Sequence, residues 1–155
     1  MTVDELKPYG LEEMRDEEIE RFLEAESIGV LGLPAADLPY LVPLSYGYDG
    51  DSSLYFTYVL GETSTKERLT ERAQRGQFLV YQAETIFSWR SVLLEGEFER
   101  VRPSEWGKLA DDLDEVWRPE LFRVSNPSRN VKIYEFQITE RSGIKHTGLA
   151  DAIEE

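Results

Sequence analysis

Apolar and polar positions alternate with a period of two through much of this chain. In residues 89–101, WRSVLLEGEFERV, Val92, Leu94 and Phe98 fall on one side and Glu95, Glu97 and Glu99 on the other. That is the pattern of a half-buried strand. Residues 39–48, PYLVPLSYGY, put Tyr40, Val42, Leu44, Tyr46 and Tyr48 on a shared face. Pro43 has no N–H to give to a ladder, which places this strand at an edge or a bulge. Apolar runs at 27–33, 53–59, 77–84 and 132–140 predict four more strands. Asp49-Gly50 is a hairpin signal, so the second and third strands are expected to pair antiparallel. Gly96, in mid-strand, predicts a bulge or a close backbone approach.

Three segments switch to a helical period. Residues 15–26 carry Ile19, Phe22 and Leu23 as one stripe on an acidic helix. Residues 63–74 open with Thr63, Ser64, Thr65 and Lys66; Ser64 fits the N-cap, Glu67 completes a capping box, and Gly76 is expected to end the helix. Residues 103–117 carry Trp106, Leu109, Leu113 and Val116. Residues 118–130 read as loop, and the tail from Ser142 is expected to be mobile at its end. With no repeat or linker, the chain reads as one domain over residues 1–155. Six strands with few helices predict a mainly β, antiparallel barrel, closed or nearly so, with flanking helices.

Composition then narrows the chemistry. The chain has no cysteine and one histidine, His146, which excludes disulfides, thiolate metal sites and multi-histidine centres. His146 is expected to be an exposed tail residue. Thirty-one acidic against 17 basic residues give a net charge of −14, a surface that repels nucleic-acid phosphates. The same excess fits either a well-solvated surface or adaptation to high salt, where cations screen self-repulsion. The N-terminal segment lacks the basic-then-apolar plan of a signal peptide, and no run reaches membrane-spanning length, so a cytoplasmic protein is expected.

The candidate chemistry sits where the strand at 53–59 runs through a glycine-containing loop into the helix of Ser64, Thr65 and Lys66. A helix N-terminus offers unpaired N–H groups and partial positive charge, the hydroxyls add donors, and Lys66 adds a cation, which together suit a phosphate monoester. Glu62 and Glu67 subtract from that field, and the same residues also make an ordinary capped surface helix. Arg90, at the start of the long strand, fits either a bidentate phosphate contact or a surface ion pair. Tyr46, Tyr48, Tyr55, Phe56 and Tyr58 fit either core packing or the flanks of a planar ring.

Read in order, IGVLGL, PYLVPLSYGYDGDSSLYF, T-x₆-S-T-K and WRSVLLEGEFERV resemble the pyridoxamine 5′-phosphate oxidase-like, FMN-binding split barrels, in particular their small flavin-nucleotide-binding branch. The resemblance covers roughly residues 15–101, with support from KIYEFQITERSGIKH. It implies a six-stranded split β-barrel and an FMN cofactor, with a deazaflavin (F420) as the alternative. It implies that Pro43, Leu44, Ser45 and Tyr46 run along the flavin, and that Thr57 follows the third strand at the site. Ser64, Thr65 and Lys66 would hold the phosphate, and Arg90 and Ser91 would reach the flavin. It also implies a homodimer sharing two flavin sites, with subunit contacts expected around Val92, Leu94 and Phe98 or around Tyr46. The activity implied is a flavin-dependent oxidoreductase acting on a small molecule. A non-catalytic carrier or sensor, and a barrel that has lost its cofactor, are the other readings. The chain has no histidine near Thr57 and no arginine-rich signature at its C-terminal end. Neither a histidine-based nitroimidazole reduction nor vitamin B6 oxidation is therefore favoured.

Overall fold

The computed structural model describes residues 3–59, 64–112 and 131–148. Strand β1 is Leu11–Glu13, followed by helix α1, Asp16–Ala25. Strands β2 (Ile28–Leu33), β3 (Tyr40–Ser45), β4 (Gly47–Tyr48) and β5 (Ser53–Val59) precede helix α2, Thr65–Ala73. Strands β6 (Arg75–Thr85) and β7 (Ser88–Val101), helix α3 (Trp106–Asp112) and strand β8 (Val131–Thr147) complete the order. Of the expected third helix, Leu113 and Val116 lie outside the described residues, as do Thr63, Glu62 and the loop at 118–130.

All pairing is antiparallel, in the order β3-β2-β6-β7-β8-β5-β4, with β1 on the edge of β8. The two ends of this path are consecutive in the chain, because only Tyr46 separates β3 from β4. The sheet therefore curls round until its ends meet, and β3 and β5 approach each other at the seam. The expected 39–48 strand is thus present but broken at Tyr46. Counting β3 and β4 as one and setting β1 aside recovers the six strands of the barrel. Pro43 is tolerated because β3 lies at the end of the hydrogen-bonded path.

Alternation decides what the barrel contains. Leu31, Leu33, Leu54, Phe56, Tyr58, Phe78, Val80, Val92, Leu94 and Phe136 are buried inside it, with Phe98 packed against them. The Phe56 and Phe78 rings lie 4.9 Å apart at its centre. The register shifts between Glu95 and Gly96, where a Cβ on Gly96 would meet the Phe136 ring at 2.6 Å and the Gln137 carbonyl at 2.7 Å. This is the bulge and close approach that the mid-strand glycine predicts.

The interior placement of Val92, Leu94, Phe98 and Tyr46 corrects the expectation that they make subunit contacts. At period two, the residues free to meet another chain are their neighbours of opposite parity. Leu41 on β3, Ile28 on β2, Tyr81 on β6 and Leu93 on β7 are exposed on the outer face, where Val30 pairs with Pro43 and Leu79, and Leu79 with Leu93.

The helices close opposite ends. From α1, Ile19, Phe22 and Leu23 are buried, and the Tyr46 hydroxyl donates to the Leu23 carbonyl at 2.8 Å. Its acids Glu18 and Glu20 reach Lys145 and Arg141, in the C-terminal half of β8. Helix α2 buries Leu69 and Thr70 and bonds the N-terminal half of β8. It ends at Gln74 in the left-handed region (φ 57), not at Gly76, which is already in β6.

Strand β8 continues to Thr147, past the expected 132–140, because β1 and the start of β7 pair with its final residues. His146 is accordingly half-buried, between the rings of Phe87 and Trp89, and not an exposed tail residue. Among the described residues, no helix is long and apolar enough to cross a membrane.

Candidate functional site

The turn of Asp49 to Ser53 launches β5. The Asp49 carboxylate accepts from the N–H groups of Asp51, Ser52 and Ser53 at 2.8–3.1 Å, and Gly50 takes the positive φ the turn requires. Strand β5 then carries Tyr58 inward and Thr57 outward, in register with Lys132 and Ile133 of β8. The Thr57 hydroxyl oxygen is buried and has no hydrogen-bond partner among the described residues, an unusual state for a buried polar atom.

The first turn of α2 is built as its sequence requires. Ser64 is the N-cap, and its hydroxyl accepts from the Glu67 N–H at 3.2 Å. Lys66 points back to the barrel, its ammonium 4.5 Å from the centre of the Tyr58 ring. One turn on, the Thr70 hydroxyl lies 2.9 Å from that of Tyr58, and it donates to the Lys66 carbonyl at 2.8 Å. None of the ion pairs among the described residues involves Lys66. Desolvation by burial holds its ammonium below the usual lysine range. Burial likewise pushes the Tyr58 phenol up, so it stays a neutral hydroxyl.

The ten residues expected at the site divide. Ser64, Thr65 and Lys66 share the start of α2, where Lys66 meets Tyr58, whereas Thr57 lies on the opposite face of β5, in register with Ile133. Pro43 and Ser45 are exposed on the outer face of β3, whose neighbour across the seam is β5. Leu44 and Tyr46 turn their side chains into the core, so that only their backbone is available to a ligand. Arg90 and Ser91 lie apart from the Lys66 group. Arg90 is exposed in register with Gln82 and Lys145, and Ser91 with Tyr81. From Lys132, opposite Tyr58, to Lys145, opposite Arg90, β8 covers roughly 40 Å of strand at about 3.3 Å per residue. A cleft of about 500 Å³ opens elsewhere on the outer face, lined by Leu41, Gln77, Glu95 and neighbours, and holds none of the ten.

Sequence reasoning missed the partners of α2 on β8. Glu67 pairs with Lys132, and the Tyr134 hydroxyl donates to Glu71 at 2.5 Å. The signal was available as two carboxylates spaced i, i+4 on a helix and two polar residues spaced i, i+2 on a strand.

A curled antiparallel barrel, with a helix packed at each end and Lys66 in the first turn of one of them, defines a split-barrel protein. The chain belongs to the pyridoxamine 5′-phosphate oxidase family, whose model matches residues 15–145. None of the curated proteins compared with it matches. Among solved structures it is similar to a FAD-binding protein from Mesorhizobium loti, at 22% identity and a TM-score of 0.69, over 87% of this chain and 96% of that one. It is also similar to the FAD and heme binding protein of Mycobacterium smegmatis, at 16% identity and a TM-score of 0.69, over 92% of this chain and 76% of that one. A FAD binding protein of the same organism matches at 14% identity and a TM-score of 0.60, over 87% and 97%. At these identities the likeness is one of fold.

Proposed function

We propose that the chain binds flavin mononucleotide, with the phosphate at the first turn of α2, and acts as a flavin-dependent oxidoreductase on a small molecule. One observation carries this reading: Lys66 is a half-buried ammonium without a carboxylate partner among the described residues, set at the capped end of a helix. A cation in that state gains most from an arriving dianion, because its desolvation is already in place. The buried Thr57 hydroxyl in the preceding strand, unpaired among the described residues, fits a polar ligand atom as well. Family membership and the FAD-binding proteins that share the fold support a flavin.

Ser64, Thr65 and Lys66 would hold the phosphate. Pro43 and Ser45, with the backbone of Leu44 and Tyr46, would line the ring along β3. A bound isoalloxazine supplies hydride and electron transfer, and the protein binds, orients and shields it. Arg90 and Ser91 reach the same flavin from a second copy of the chain, seated on the outer face of Ile28, Leu41, Tyr81 and Leu93. The test is a titration of purified chain with FMN, FAD and deazaflavin, followed by turnover with NAD(P)H and an acceptor panel. FMN is expected to bind near one equivalent per chain. Failure of all three at micromolar concentration removes the reading. Binding without turnover leaves a carrier or sensor and removes the enzyme.

A further inference from the structure

Helix α2 presents a difficulty for an anion. Glu67 lies in its first turn, directly after Lys66, where a carboxylate favours the helix but opposes a phosphate at the same end. The packing sorts these charges. Lys66 and Thr70, one turn apart, both face Tyr58 on β5. Glu67 and Glu71, also one turn apart, bond Lys132 and Tyr134 on β8. Glu67 and Glu71 are thus engaged by β8, while Lys66, in no ion pair among the described residues, meets β5. The Lys132 and Glu67 side chains are only 19% and 27% exposed, so solvent screens little of their mutual neutralisation.

We propose that Lys132 is an electrostatic positioning residue. By cancelling Glu67 on the β8 side of α2, it keeps the Lys66 side positive enough to hold a phosphate, without touching the ligand. This rests on the phosphate reading above. The test is FMN and riboflavin titration of wild type, Lys132→Met, Lys132→Arg, Glu67→Gln and the Lys132→Met/Glu67→Gln double variant, each checked by thermal melting.

Lys132→Met exposes one carboxylate charge to a dianion within about a Debye length, which is expected to weaken FMN about tenfold. Riboflavin, lacking the phosphate, is expected to be unmoved. The double variant restores FMN binding, Lys132→Arg retains it, and Glu67→Gln alone tightens it. A merely structural Lys132 would weaken both flavins and would not be rescued by removing Glu67. Either result overturns the proposal, as does a Lys132→Met variant that binds FMN like wild type. Should Lys132→Met fail to fold, a Glu67→Gln variant no tighter than wild type overturns it instead. A wild type that binds no FMN defeats the phosphate reading itself, whereas a binding wild type with unmoved variants defeats this inference alone.

Discussion

Replacing Lys66 by Met separates the phosphate role of this residue from any part it plays in the fold. Met keeps an apolar stem against Tyr58 and removes the charge. In the free protein the change costs little. It loses a cation–π contact of about 0.5–1 kcal/mol and relieves a partly desolvated ammonium with no ion partner among the described residues. In the complex it loses charge-assisted hydrogen bonds of about 1.5–3 kcal/mol, or roughly 10–150-fold in affinity. With FMN at about 100 times the wild-type Kd, ligand protection is about 2.7 kcal/mol; a thirtyfold loss cuts it to about 0.9 kcal/mol. For a chain of this size that is about 4–7 °C of the FMN-induced rise in Tm. pH adds a second readout. Because the Lys66 pKa is lowered in the fold, FMN affinity is expected to fall as pH rises through the region below 10.5, while the stability of the free protein gains over the same interval. The Met variant should show neither trend. Calorimetric titration with FMN and riboflavin, paired with melts with and without ligand, reads both. Equal loss for riboflavin, or a free variant melting far below wild type, would refute the assignment of Lys66 to phosphate.

Other expectations follow from particular contacts. The Glu18 carboxyl is held at about 2, chiefly by the Lys145 ammonium at 2.6 Å. Its contribution is therefore present above its ordinary value of 4.5 and lost as pH falls toward 2. Discounted for solvent screening it is worth about 1 kcal/mol, so Glu18→Gln should lower the urea midpoint at pH 7 and match wild type near pH 2. Gly96→Ala drives a methyl into Phe136 and the Gln137 carbonyl and should cost about 1–3 kcal/mol by thermal melting; an unchanged Tm would contradict the β7–β8 register. On the proposed dimer, Leu93→Glu on the outer face should yield monomers by light scattering and release flavin, and the wild type should associate more tightly from 0.1 M to molar KCl as the −14 charge per chain is screened. A dimer indifferent to Leu93→Glu misplaces the interface, and one indifferent to salt removes the halophilic reading.

The strands were legible because period-two alternation is a local signal. One side of 89–101 had to be core, and Val92 and Leu94 are fully buried. The bulge at Gly96 and the turn at Asp49-Gly50 were legible because each has a local steric cause. What failed depended on distant partners. Nothing near Ser142 reveals that Leu11–Glu13 and the start of β7 will pair with the last residues of β8 and carry that strand to Thr147. At the break, the Tyr46 hydroxyl donates to the carbonyl of Leu23 on α1, a partner 23 residues away in the chain.

The grouping of the candidate site residues divides along the same line. Ser64, Thr65 and Lys66 are three consecutive residues of one helix start, so local rules place them together. Arg90 is tied to them by no local rule, and the register carries it to another part of the barrel, beside Lys145. Nor could alternation alone assign Val92, Leu94 and Phe98 to a subunit contact or to the core; only closure of the sheet decides which parity faces inward. Once it closes, the face left outside carries Ile28, Leu41, Tyr81 and Leu93 together with Pro43, Ser45 and Ser91. An apolar surface carrying three of the ten expected ligand contacts, and the helix start of Lys66 at a separate rim, are two parts that one chain does not join. If both belong to one flavin, the second copy of the chain is a component of the site, and dimer dissociation and flavin release should occur as a single event.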